Sequence, residues 1–409
     1  MPRIKPFKAL RPADGQAQQV ASVPYDVVNR EEAAALAAGN PNSFLHVVRP
    51  DIDLPPDTNP YADEVYAKGR QNLDRLVSQG ILQRDSDDCL FAYRQIMNGV
   101  SQTGVVCCCH IDDYENNLIL KHEKTRPAKE DDRTRHVLAL NAHAGPVFLT
   151  YRDVPDITVL VEAACRQAPL YDFTAVDGVQ HTVWRIADTV PLVEQLSAVP
   201  RFYVADGHHR SASAWRAGAA RRADNPRHTG QEEYNWFLTV LFPADELNIL
   251  AYNRIIRDLN GLTPDEVCSK LAAVGRLEPA SHPVPDATGS FCFYLAGRWH
   301  NLTIPANSID HSDAIESLDV AILERRVLEP VFGIGDVRTD PRIDFVGGIR
   351  GTKELESRVN SGEWACAVSM YPTSVNQLMA VSDAGKIMPP KSTWFEPKLR
   401  SGLLVHTLD

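Results

Sequence analysis

Hydrophobic and polar positions first alternate between helix-like and strand-like spacing. Asn29 with Glu32 three residues later forms a reciprocal capping pattern, opening an alanine-rich helix that Gly39 and Pro41 stop. Ser43 to Val48 is an apolar run that reads as a strand, and Pro50–Pro60 reads as an exposed loop or linker. Val65, Tyr66, Leu73, Leu76 and Val77 recur at helical spacing up to Gly80, which predicts an amphipathic helix over 61–79 packed on a sheet. From Leu90 the period changes to two. LFAYRQI, Asn98-Gly99 and VVCCCHI together predict a hairpin with a primed turn.

Further along, a helix is predicted at 156–167 and a strand at Arg201–Ala205, which stops at Asp206-Gly207-His208-His209-Arg210. A helix from Ser211 to about Arg222 follows, burying Ala212, Trp215 and Ala219 and ending before Asn225-Pro226. Tyr234–Phe242 and Ile249–Ile256 read as strands. Beyond them come helices at 264–274 and 316–329, a hairpin at Ala296-Gly297, and strands near 342–346 and 364–370. The expected class is α+β, with mixed sheets and packed helices. Three segments are expected: an N-terminal α/β part (1–89), a central core (90–256) and a C-terminal α+β part (257–409) completing a cleft.

Composition narrows the function classes. With 409 residues, 44% apolar and 23% charged, the chain has the make-up of an ordered globular protein. Its 42 Lys+Arg against 53 Asp+Glu give a net charge of −11, a field that repels nucleic acid. No apolar run is long enough to span a bilayer, and no apolar stretch follows the basic residues of MPRIKPFKALRP, so neither membrane nor secretion is expected and the cytoplasm is the expected compartment. The eight cysteines include no CxxC pair and read as reduced thiols. Cys107, Cys108 and Cys109 sit on one strand, whose alternation keeps them from converging on one metal, so they read as small core residues.

Two stretches carry chemistry. The first, KHEKTRPAKEDDRTRH at 121–136, holds six Lys/Arg and four Asp/Glu in a chain that is acidic overall. Pro127 keeps it from being one continuous solvated helix. Arg126, Lys129 and Arg133 could clamp phosphates, with Asp132 holding Arg133 or a magnesium ion, and each equally suits a surface ion pair. The second is the Asp-Gly-His-His-Arg turn between strand and helix. Gly207 lets the backbone approach a ligand, the first-turn N–H groups and Ser211 face an anion, and Arg210 adds a fork matched to phosphate oxygens. His208 and His209 can donate to phosphate or move a proton, while Asp206 can orient a hydroxyl or bind magnesium. A zinc reading with His122, Glu123, His136 or His143 is disfavoured because adjacent histidines rarely point at one ion. Gly347-Gly348 reads as a turn. Lys391 and Lys398 are either ligand contacts or anchors, and Trp394, Phe395 and Leu399 are anchors.

KPFKALRP, VPYDVV, NPNSFLHVVRP, HEKTR, KEDDRTRH, ADGHHR, FVGGIRG and MPPKSTWFEPKLRSG together resemble the bacterial and archaeal family catalogued as domain of unknown function 1015, over nearly the whole length. The ADGHHR segment resembles the phosphate-binding strand–turn–helix of the ParB/sulfiredoxin-like superfamily, which includes kinases acting on free serine. The resemblance implies a nucleotide-dependent phosphotransferase using ATP or ADP with magnesium on a small hydroxylated metabolite, with serine or, in reverse, phosphoserine the expected substrate. It implies Asp206 and His209 as catalytic groups, with Gly207, His208, Arg210 and Ser211 holding phosphate. Glu123 is the acid on an earlier element that would take the hydroxyl proton, about eighty residues before the turn. His122, Thr125 and Lys391 are assigned to the substrate side, and a homodimer is possible. Sulfiredoxin chemistry lacks its cysteine at the turn, and DNA segregation lacks a basic helix. A phosphate-ester hydrolase, with or without a metal ion, and a non-enzymatic nucleotide sensor stand as alternatives.

Overall fold

The computed structural model describes residues 1–409. The chain divides into two compact units, residues 1–247 with 397–409 and residues 248–396. The three expected segments therefore become two. Ile4 and Lys5 pair with Cys109 and Cys108, which joins the first 89 residues to the central sheet, and the boundary falls at 247/248 rather than 256/257.

The first unit is built on a nine-stranded mixed sheet. Its strands are β1 (Ile4–Lys5), β2 (Leu90–Met97), β3 (Val100–His110), β4 (Ile119–Leu120), β5 (Val147–Tyr151), β6 (Tyr171–Thr174), β7 (Gln180–Ile186), β8 (Phe202–Asp206) and β9 (Trp236–Pro243). Their order is β4-β8-β5-β9-β3-β2-β7-β6, with β1 paired to β3. β8 is parallel to β4 and β9 to β5, and the other pairs are antiparallel. The β2–β3 hairpin turns at Asn98-Gly99, both with positive φ, as the primed turn requires.

Helices α1 (Arg30–Ala37), α2 (Asp63–Ser78), α3 (Pro127–Leu140), α4 (Pro155–Cys165), α5 (Val190–Ala198) and α6 (His208–Asp224) surround this sheet. Asn29 caps α1 in a complete box with Glu32, as its sequence spacing predicts. Helices α4 and α5 supply Ile157, Val161, Leu192 and Leu196 to a core shared with Leu90, Val105, Cys107, Cys109 and Trp184. Each of these large side chains, once fully buried, contributes about 1.5–3 kcal/mol. The Cys107 and Cys109 sulfurs both lie beside Thr239 Oγ1, at 3.4 and 3.3 Å, while Cys108 takes the opposite face. Burial pushes the Cys108 and Cys109 thiols well up, so they are packing groups rather than nucleophiles.

Several elements differ from the sequence expectation. Ser43–Val48 is not a strand; Leu45–Val48 is one helical turn, because Val47 and Val48 bond back to the Phe44 carbonyl and Phe44 itself bonds to Val20. A short apolar run carries no period that separates the two. Helix α6 starts at His208, three residues earlier than expected, so the two histidines form its first turn. Trp215 and Ala219 are only half-buried. The close face is made by Ala214, Ala217 and Gly218, where a Cβ on Gly218 would come within 2.5 Å of the Tyr234 carbonyl oxygen.

The second unit holds a six-stranded antiparallel sheet of β10 (Tyr252–Ile256), β11 (Arg276–Pro279), β12 (Ser290–Leu295), β13 (Arg298–Thr303), β14 (Ile343–Gly347) and β15 (Cys366–Met370), ordered β11-β13-β12-β15-β10-β14. The 316–329 segment is not one regular helix, since a π-turn at Glu324–Leu328 separates two short helical pieces. The α+β class holds for the molecule, and no helix is long and apolar enough to cross a membrane.

Candidate anion and proton-transfer site

The site is built where β8 ends. Register slips between Val204 and Asp206 against β5, a bulge that leaves Ala205 unpaired and re-aims Asp206. Gly207 then takes φ +93°, which turns the chain directly into α6. A Cβ there would sit 3.0 Å from Arg210 Nε. No side chain caps the helix and no acidic residue stands in its first turn, so the amides of that turn and the positive end of the dipole are presented together.

Asp206 is held by two cations. Arg210 Nη2 donates to its Oδ2 at 2.8 Å, and Lys398 Nζ lies 3.5 Å from Oδ1. Burial works to raise its carboxyl, but Lys398 and Arg210 outweigh burial and bring it down to about 2. Arg210 also donates to the Pro146 carbonyl at 2.5 Å, while its buried Nε has no partner. Tyr25, Arg133, His136 and Arg210 line a cavity of about 40 Å³ behind the turn, room for a few waters at most. Ser211 Oγ donates to the Gly207 carbonyl at 3.1 Å and tightens the turn.

The two histidines diverge. His208 turns inward, packing edge-on to His122 with ring centroids 4.4 Å apart, and its Nδ1 lies 3.7 Å from Glu123 Oε2. The eighty-odd residues between Glu123 and the turn are thus closed by the fold, because β4 pairs beside β8 and delivers residues 121–123 to the turn. Burial, and then the facing imidazole, push His208 well below its ordinary value, and burial brings His122 down to about 4. Both are neutral at pH 7, so His208 and Glu123 do not form an ion pair. His208 Nε2 and His122 Nδ1 are buried without a partner. His209 turns outward, and its Nε2 accepts the Arg126 backbone N–H at 3.1 Å. Arg126 is the N-cap of α3, which has Pro127 in its first turn and no side-chain cap. Two helix N-termini therefore meet across one imidazole.

The basic segment is distributed around that junction. Thr125 donates to Glu130, and Lys129 donates to the Tyr61 hydroxyl at 3.3 Å. Arg133 is held by Asp132 at 2.9 Å with its guanidinium 4.1 Å over the Tyr25 ring, so it faces the cavity rather than open solvent. Arg216 ties α6 to Glu130 and Asp131 of α3. The magnesium role expected of Asp206 does not fit this donor set. One carboxylate with a cation on each oxygen is not a metal cage, and no group of three or more His, Cys, Asp or Glu side chains is arranged to hold a metal ion. The zinc alternative meets the same obstacle, because His208 and His209 point apart.

The family described as "Protein of unknown function (DUF1015)" matches residues 4–321. The chain belongs to it. No curated protein matches. Among solved structures, the DUF1015 chain is similar to SbnI with a C-terminal truncation from Staphylococcus aureus, at 12% identity over 73% of this chain and 86% of that one, with a TM-score of 0.39. It is similar to a free serine kinase in complex with AMP, at 12% identity over 74% and 91%, TM-score 0.33. A conserved hypothetical protein from Pyrococcus furiosus gives 12% identity over 74% and 94%, TM-score 0.34.

In this DUF1015 chain, Lys391 belongs to the second unit, where its ammonium lies 5.3 Å over the Tyr252 ring. Lys398 is the tail lysine that reaches Asp206. Asp26, from the VPYDVV segment, acts electrostatically on both His209 and Arg210 and was not singled out by sequence pattern. A short acidic side chain in a loop has no periodicity to betray it.

Proposed function

We propose that this chain is a nucleotide-dependent phosphotransferase acting on the hydroxyl of a small metabolite, with free serine or phosphoserine the first substrates to test. The observation that supports this reading best is the meeting of two uncapped helix N-termini at His209, beside a carboxylate clamped by Arg210 and Lys398. Phosphoryl transfer asks the protein for backbone donors, fixed cations and one base. The first-turn amides of α6 and Arg210 would receive the nucleotide phosphates, and Arg126 and Lys129 flank them from α3. Glu123, about half exposed, would accept the hydroxyl proton as that oxygen attacks the terminal phosphorus and the bond to the diphosphate breaks. Neutral His208 would orient Glu123 or the substrate oxygen without competing for positive charge. Magnesium entering with the nucleotide would be held chiefly by phosphate and water.

The deciding experiment is a melting panel of ATP, ADP and AMP with magnesium, with and without serine or phosphoserine, followed by turnover on the responsive pair. A nucleotide-dependent rise in Tm, with Glu123→Gln lowering turnover by about 10²–10⁴-fold while the Tm rise persists, is the expected result. A Tm rise without turnover would instead make the chain a nucleotide sensor. No response to any nucleotide would overturn the reading.

A further inference from the structure

The central sheet carries a second cavity, of about 270 Å³, on the face away from the turn. Arg94 and Gln95 are neighbours on β2 and so point to opposite faces. Gln95 donates to the Lys398 backbone carbonyl at 2.9 Å, on the side of Asp206, whereas Arg94 lines the second cavity under α4. The two sites are separated by the thickness of the sheet.

This cavity holds opposite charges that do not touch. The Arg94 guanidinium lies 5.0 Å over the Trp184 ring and donates from Nε to Thr103 Oγ1 at 3.1 Å, which leaves its two terminal nitrogens without a protein partner. Glu246 accepts the Thr103 backbone N–H, and it shares the cavity with Arg94 without forming an ion pair. Glu162 adds a second carboxylate and Thr158 a hydroxyl from α4, while Val105 and Val161 form an apolar floor. A fixed planar fork is matched to a carboxylate, carboxylates are matched to an ammonium, and the floor is matched to hydrocarbon.

We propose that this cavity binds a free α-amino acid with an apolar side chain, of leucine to phenylalanine size. Arg94 takes the carboxylate, Glu246 and Glu162 take the ammonium, and the side chain lies on Val105 and Val161. The proposal is independent of the phosphotransfer reading, since no nucleotide and no residue of the turn takes part.

Isothermal titration of the full chain, without nucleotide, tests it with leucine, phenylalanine, leucinamide, N-acetyl-leucine and isopentylamine. Leucine or phenylalanine is expected to bind, and the analogues lacking either charge are expected to bind roughly tenfold more weakly or worse. Arg94→Lys keeps a cation over Trp184 but loses the fork, and should weaken leucine by a similar factor. Thr158→Phe fills the cavity from a half-buried helix position and should abolish binding with the fold intact by circular dichroism. No heat from leucine or phenylalanine at millimolar concentration would overturn the proposal. So would equal binding of isopentylamine, which would mark a simple cation site, or unchanged leucine binding in Thr158→Phe.

Discussion

Two strands in this molecule run into glycine, and the two glycines do different work. At the end of β8, Gly207 has φ +93°, and the nearest atoms to a Cβ there belong to the movable Arg210 side chain. At the end of β14, Gly347 has an ordinary φ of −60°, yet a Cβ would lie 3.0 Å from the Trp394 ring. The neighbouring Gly348 would place a Cβ 2.6 Å from the Ala251 carbonyl oxygen. The first glycine is chosen for a backbone angle that opens a helix N-terminus, the second pair for the absence of volume. In sequence both read as a strand followed by glycine, so composition alone does not separate a turn that opens a helix N-terminus from a packing contact.

The largest effect that would sharpen this contrast is on folding. Gly348→Ala forces its Cβ into backbone that cannot swing aside, and is expected to cost about 1–3 kcal/mol in urea unfolding. The nucleotide-induced Tm rise should survive; losing it at full stability would break the division of labour between the two strand ends.

Acid separates the units next. His122, His136 and His143 of the first unit are buried and neutral, and burial brings the last two down to about 3. A folded value below the unfolded value of about 6.5 means stability is complete above pH 6.5 and is lost as pH falls. His136 donates from Nε2 to the Val47 carbonyl at 3.0 Å. Between pH 7 and 5 it alone should withdraw about 2 kcal/mol, and His136→Gln should flatten that slope. A pH-independent urea midpoint over this range in wild type would show that these rings are not buried as described.

Gly207→Ala is smaller in stability, about 1–2 kcal/mol for an L residue in the left-handed region. It is expected to remove the nucleotide Tm shift, because the added methyl displaces the Arg210 guanidinium. An unchanged shift would detach the turn from the nucleotide. Smallest in energy is Lys398→Gln, at about 0–1 kcal/mol for a partly exposed ion pair. Asp206, now at about 2, contributes stability above the usual carboxylate range that is lost as pH falls through its folded value. With one cation gone the folded value moves up toward the unfolded one, so the acid loss should be smaller and complete at higher pH, which acid titration of the urea midpoint would record.

Local rules made much of the fold legible. The Asn29 cap, the Asn98-Gly99 hairpin, the helix at 264–274 and the alternation of the three cysteines all depend on residues close in sequence. Ser43–Val48 failed because a six-residue segment with four apolar residues satisfies either a turn of helix or a strand, and only the bond from Phe44 to Val20 decides. The candidate site shows the same split. Asp206 to Arg210 stood out as a run, and Glu123 drew notice because it lay in a basic stretch. Lys398 on Asp206, Pro146 under Arg210, and the divergence of the two histidines arise from pairings across the sheet that no short window contains.

Lys398 also fixes a moment in the life of the chain. Residues 397–409 belong to the first unit but leave the ribosome after all of residues 248–396. At translation rates of about 5–20 residues per second, Asp206 therefore waits roughly 10–40 s for Lys398, with Arg210 as its only cation. In that interval the carboxylate has one of its two cationic contacts. The contact between Lys398 and Asp206 therefore forms only after the whole of residues 248–396 has been made.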